Sequence, residues 1–436
     1  MTSVITKHLN VFTAEQVKES VSETNNNTLY LGFGRVSPWA NDAVPEQANT
    51  SDQNMRDVWS TMIGGKLITE NSMEHVIERN QWATGISYSA YDDKDTDLYS
   101  HDFYVITTDF NVYKCLDNVN SSNSTVEPTS TNPATITQTA DGYIWKYMFT
   151  LNSEDKYRFL NDDYFPVRTL TVDNGSTQWQ VQSQAVEGAI YLIKIEDAGT
   201  YTNDNVSIVI TGDGTGANAS CNVNTSSNTL HTMTIDDYGT GYTYASASIT
   251  GGAGSGGSLR VVLSPPNGHG SDPLYELGGS NLMLNVRLRG TENGTLPIVN
   301  DLRQIILLKD PYTVGTTNAY SNTTFSQLKD LSLTGVSSDY DEDEYVYQGA
   351  SLSTATFAGK VVEWDSANSQ LLLNNTTGTP TSDTLIGDTT GSTSFVTSVE
   401  NEDLTKNSGK ILYIQNIPEI QRDEFQTENF RIVLKY

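Results

Sequence analysis

Along most of this chain apolar residues alternate with polar ones over short stretches, each closed by glycine, proline, asparagine or aspartate. A period of two puts successive side chains on opposite faces of an extended backbone, so the pattern predicts many short strands joined by turns. Thr28-Leu-Tyr-Leu-Gly-Phe33 reads as one strand, and Phe103 to Leu116 as a hairpin turning near Thr108-Asp-Phe-Asn111. Asp141 to Phe149 opens with a turn dipeptide and continues as a strand with aromatics on both faces, the pattern of burial from two sides. Helical spacing is confined to two places. Thr13-Ala-Glu-Gln16 fits a capping box that would open a short helix, and residues 52–63 set Met55, Val58, Trp59 and Met62 on one face. Near the end, Ser408 to Pro418 reads as a strand stopped by proline, and Asn429 to Tyr436 as a strand paired into a sheet.

Residues from Ile193, IKIEDAGTYTNDNVSIVITGDGTGANAS, are echoed from Met233 by MTIDDYGTGYTYASASITGGAGSGGSL. Each copy is too small to bury a core alone, so the two are expected to pack together as one β module. A further pair of strands is expected within about 357–398, after the solvated acidic run Asp339 to Glu344. The expected fold is therefore mainly β and multi-domain, sandwich- or barrel-like, with few short helices and inserted small β modules. Its organisation reads as an N-terminal β domain over 1–180, an inserted tandem glycine-rich repeat over 181–265, and a C-terminal β domain over 266–436 that returns to the core and carries the insertion at about 357–398.

Composition agrees with strands and narrows the function. Charged residues make up only 18% of the 436, so the polar positions are largely uncharged turn formers instead of the Glu, Lys and Arg that long amphipathic helices need. A net charge of -28 argues against a nucleic-acid partner and against an anionic membrane, since both repel an acidic surface. Cys115 and Cys221 are too few for a disulfide framework or a thiolate cluster, and the chain shows neither an apolar leader nor a run long enough to span a bilayer.

The motifs that could carry chemistry each lack a part. Asp93-x-Asp95-x-Asp97 has the odd-position carboxylates of a calcium loop, but Leu98 stands where the turn glycine belongs and Tyr104 where the bidentate glutamate belongs. Gly212-Asp-Gly-Thr-Gly-Ala217 matches a dinucleotide fingerprint, yet the residues after it cannot open a helix to receive a phosphate, so a β-turn is expected. The five histidines show no ligand spacing, and His269, between Gly268 and Gly270, reads as a structural corner. No catalytic residue, cofactor, metal or small-molecule substrate is expected.

Several segments, in order, resemble the baseplate wedge protein family of T-even-type contractile-tailed phages, gene product eight. They are Leu31-Gly-Phe-Gly-Arg-Val-Ser-Pro-Trp39, Val58-Trp-Ser-Thr-Met-Ile63, Val76-Ile-Glu-Arg-Asn-Gln-Trp82, Val112-Tyr-Lys-Cys-Leu116 and Asp141 to Phe149, with Gly409 to Ile420 and the last strand to Tyr436. The middle of the chain departs from that pattern. The resemblance implies a two-domain, sandwich-type β protein without enzymatic activity, which homodimerises, joins other wedge proteins in the host cytoplasm and ends in the virion's tail baseplate. Phe33, Arg35, Trp39, Trp59, Trp82, Tyr143, Trp145 and Tyr413 in these segments are expected in cores or subunit interfaces. The alternative reading is a receptor- or glycan-binding tail protein of the same virion.

Overall fold

The alternating segments do form strands. In the computed structural model, which describes residues 4–22, 27–34, 37–202, 205–297, 301–423 and 425–436, strand takes 43% and helix 13%, so the chain is mainly β as its pattern predicts. Two compact units emerge, each assembled from separated segments: one from residues 1–15, 74–283 and 433–436, the other from 16–73 and 284–432.

The first unit holds an antiparallel four-stranded sheet in the order Tyr104–Ile106, Asn111–Asp117, Ile144–Thr150, Ile136–Gln138. The predicted hairpin is its first pair, with Tyr104 opposite Lys114. Ile144–Thr150 is buried on both faces, as its aromatics suggest: Trp145 and Tyr147 pack with Tyr88, Tyr113 and Val181, while Met148 packs with Val11, Ile106 and Phe165. Alternation alone produces this split, because neighbouring residues in a strand face opposite sides.

The glycine-rich repeat also lies in this unit and has an arrangement that its sequence does not disclose. The first copy supplies strands Leu192–Thr200, Val206–Gly212 and Thr215–Asn224; the second supplies Thr229–Thr240, Ala245–Gly251 and Ser255–Val262. The first strand of each copy pairs with the third of the other, and the middle strands pair together with Ile208 opposite Ile249. The copies are thus related by a pseudo-two-fold axis. Tyr201 of the first copy receives the Gly257 N–H on its hydroxyl (3.2 Å), and Tyr242 of the second receives that of Ala217 (3.4 Å). A Cβ on Gly254 would meet the Tyr201 ring and one on Gly214 the Tyr242 ring, so each tyrosine needs the glycine of the opposite copy. Gly212 to Ala217 covers the end of one strand, the turn at Asp213 and Gly214 and the start of the next strand, and opens no helix.

The second unit contains a five-stranded antiparallel sheet ordered Thr324–Ser326, Met62–Ile68, Leu29–Gly34, Asp301–Lys309, Lys410–Gln421. Tyr30, Trp59, Met62, Ile306 and Phe325 fill one core against it. A closed barrel follows within 329–400, made by Lys329–Thr334, Tyr345–Gln348, Phe357–Asp365, Gln370–Gly378, Thr384–Gly387 and Thr393–Glu400 around Leu331, Val346, Phe357 and Leu373. Glu344, from the acidic run, is buried in the barrel's unit and accepts hydrogen bonds from the Thr389 and Thr390 N–H groups, both at 3.1 Å.

Three local expectations need correction. The first helix spans Lys7–Ser22, so Thr13 sits mid-helix with its hydroxyl turned back to the Leu9 carbonyl (2.8 Å); the Leu9 N–H meets the Thr6 hydroxyl at 3.3 Å, and the first turn starts there. The second helix, capped by Ser51 on Asn54 N–H, stops at Thr61, because Met62 enters a strand opposite Gly34. Pro418 does not end its strand, which runs from Lys410 to Gln421; that strand lies at the sheet edge, where a missing N–H costs no ladder bond.

Candidate functional site

Two lysines interrupt the apolar strands of the first unit's sheet. Lys114 and Lys146 stand directly opposite one another and are 0% and 2% exposed. Like charges so placed repel, and each buried ammonium carries a desolvation cost of several kcal/mol unless compensated. Glu276, at the end of the short helix Pro273–Glu276, supplies the compensation. Its Oε2 lies 2.8 Å from the Lys114 Nζ, while its Oε1 accepts the N–H groups of Gly270 (2.7 Å) and Asp272 (3.2 Å). The Lys114 Nζ also sits 4.2 Å from the centre of the Tyr91 ring, whose negative face attracts it. Lys146 donates to the Pro133 carbonyl at 2.9 Å.

These surroundings shift the groups in opposed senses. Burial lowers the Lys114 ammonium, with Glu276 acting the other way. Burial brings Lys146 down to about 8, against the pull of Glu276 and with the help of Lys114. His269 is wholly buried, edge-on to Tyr91 at 4.8 Å and to Tyr191 at 5.5 Å. Burial and the two lysines hold its imidazole well below its ordinary value, so it is neutral at pH 7. Its Nδ1 is 4.0 Å from Glu276 Oε2, too long for a hydrogen bond. The corner expected there is real: Gly268 and Gly270 have φ of +94° and +88°, and a Cβ at either would meet Val186 backbone or the Val181 side chain at 2.5 Å.

Tyr91 and Glu276 also back an open cleft of about 880 Å³, walled by residues 4–8 and Asn10, by Asp92, Asp93, Asp95 and Asp97 of the acidic loop, and by the Pro265-Pro266 turn. The loop's carboxylates are taken up by neighbouring side chains, Asp92 and Asp93 by one arginine and Asp95 by a histidine. Asp92 would be raised by burial, but Arg260 and Lys194 hold it at about 2. Asp93 lies 3.4 Å from Arg260, and Asp95 takes the His101 Nδ1 at 3.0 Å. Among the described residues no group of His, Cys, Asp or Glu is arranged to hold a metal ion.

The residues proposed for core or interface roles are spread over both units and do not form one site. Phe33 is fully buried with its ring 4.8 Å from that of Phe430, and Trp59 lies in the core around Tyr30 and Phe325. Tyr143 and Trp145 are fully buried and stacked, centroids 5.4 Å apart, with the Tyr143 hydroxyl donating to the Ser122 carbonyl. Trp39, Trp82 and Tyr413 are half-buried. The indole N–H of Trp39 donates to the Ile417 carbonyl at 3.0 Å, that of Trp82 to Ser124 Oγ at 3.2 Å, and the Tyr413 hydroxyl to Gln415 Oε1 at 2.7 Å. Arg35 lies outside the described residues. Sequence reasoning missed the Lys114–Glu276 pair. Its signal was present, since VYKCL and IWKYM each place a lysine inside a strand read as buried.

Comparison with known families bears out the resemblance over part of the chain. Residues 3–124 match the family described as Bacteriophage T4, Gp8. The fragments of the resemblance beyond residue 124 lie outside that match. No curated protein matches the chain.

Proposed function

We propose that this chain is a structural, non-enzymatic subunit of a phage tail baseplate wedge. It joins neighbouring baseplate proteins during assembly, pairs with a second copy of itself, and passes the conformational change of infection on through those contacts. The observation that carries the reading is the family match over residues 3–124. The site chemistry supports it. Lys114 and Glu276 neutralise each other out of solvent, with side chains 1% and 4% exposed. A group that is to exchange protons with a substrate must reach it, and these do not. No described helix is long and apolar enough to cross a membrane.

Rigid β units filled with aromatics suit a part whose work is geometric, because a densely packed interior transmits displacement without deforming. Trp39, Trp82 and Tyr413 present partly exposed, hydrogen-bonded rings, the kind of surface enriched at protein interfaces. The test is to mix the purified chain with the other purified baseplate proteins of its phage and weigh the products by light scattering. A discrete heteromeric complex is expected. A chain that remains alone beside every one of them, or that binds on a glycan array, overturns the reading.

A further inference from the structure

The N-terminal helix is apolar on two opposite sides. Val11 and Ala14 are fully buried, as a helix docked on a core requires. On the other side Leu9 and Phe12, three residues apart, are 50% and 51% exposed, and Val4 and Ile5, in the segment that leads into the helix, are 83% and 72% exposed. A contiguous apolar stripe left in water opposes the driving force that folds the rest of the chain, and such patches mark contact surfaces. The stripe runs into the cleft of about 880 Å³, since Val4 and Ile5 form one of its walls.

The opposite wall of that cleft is acidic. Asp93, Asp95 and Asp97 lie along it beside Tyr99, and on the helix side are Lys7 and His8, the latter 3.2 Å from the Tyr99 hydroxyl. Lys7 is itself held below its ordinary value by burial, with Glu78 acting against that shift, and Arg260 pairs with Asp92 and Asp93, so the surplus of carboxylates over cations is offset only in part. Low-dielectric walls focus the negative field into the opening. We infer that the stripe and the cleft form one docking surface, and that its occupant is a basic amphipathic helix of another polypeptide. The occupant's apolar residues would cover Ile5, Leu9 and Phe12 while a Lys or Arg reaches over the acidic wall. Leu9 and Phe12, at i and i+3 on one helical face, form a ridge that the groove of a second helix accepts, which sets the form of the partner. The charge fixes its sign. A second copy of this chain would bring acidic wall against acidic wall across a two-fold axis, which disfavours self-pairing on this face.

The inference does not depend on the baseplate reading, because it concerns the chemistry of one surface. Fluorescence anisotropy on the full chain tests it, with three labelled peptides of equal length as probes. One is built of Leu and Lys with Leu at helical-face spacing; the second has the same residues with Leu scattered around the helix; the third replaces Lys by Glu. The first is expected to bind, more weakly as salt rises, and the others at least tenfold less well. Replacing Ile5→Ser, Leu9→Ser and Phe12→Ser together, which leaves the charge unchanged and alters only exposed positions, should weaken the first peptide at least tenfold. Asp97→Asn should weaken it by a smaller factor. Absence of binding, equal binding of the scattered peptide, or unchanged affinity in the triple variant overturns the proposal. Failure of wedge assembly with these outcomes intact would count against the baseplate reading alone.

Discussion

At the scale of single residues the account turns on Glu276, because its carboxylate bonds the buried Lys114 ammonium. Glu276→Gln keeps the acceptor for Gly270 and Asp272 but strips the negative charge. It is expected to cost about 3–5 kcal/mol, the usual loss when one member of a buried ion pair is neutralised. Adding Lys114→Met should recover a large part of that loss, and urea unfolding of the three proteins measures both effects. Equal stability of Glu276→Gln and the parent would show that the lysine is not charged in the fold. His269 gives a dependence on pH with a definite sign. Its folded value lies well below 6.5 while the unfolded imidazole protonates near 6.5, so below that pH the unfolded state binds the extra proton. Stability should therefore be complete above pH 6.5 and fall as pH drops toward 5, and His269→Gln should remove that component of the slope. The lysines were visible as polar breaks in apolar strands, but their partner was not. Glu276 is more than a hundred residues away along the chain, and only the pairing of strands with the 265–276 corner brings it close.

At the scale of elements, the strands, the hairpin and the repeat were legible because alternation and turn residues are local signals. What alternation cannot encode is partner choice. The two glycine-rich copies were evident as a duplication, whereas their exchange of first and third strands follows from long-range pairing. Pro418 illustrates the same limit, since its cost depends on whether the strand is central or at an edge. The pseudo-two-fold arrangement predicts matched effects at matched positions. Tyr201→Ala and Tyr242→Ala should each destabilise the module by about 3–5 kcal/mol, as the loss of a buried aromatic does, and each Phe variant by about 1 kcal/mol for the hydroxyl. Hydrogen exchange of the module's strands reads this locally. A silent change at one tyrosine and a large one at the other would show that the copies are not energetically equivalent.

At the scale of the whole molecule, the acidic balance of -28 argues against classes of partner but cannot name one, because net charge speaks of solubility and steering and not of fold. The proposed function was suggested only by ordered fragments of resemblance, of which those within residues 3–124 coincide with the family match. Contact surfaces resisted reading for a physical reason: an exposed Leu9 and a buried Val11 are both simply apolar in a sequence, and the fold alone separates them. The central claim is that the chain serves as a built-in part of the tail baseplate. Electron microscopy of purified phage tails with a gold-labelled antibody against the chain tests it most directly. Label confined to the baseplate end of the tail is the predicted result; particles without label, or label on the sheath, fibres or head, would contradict it.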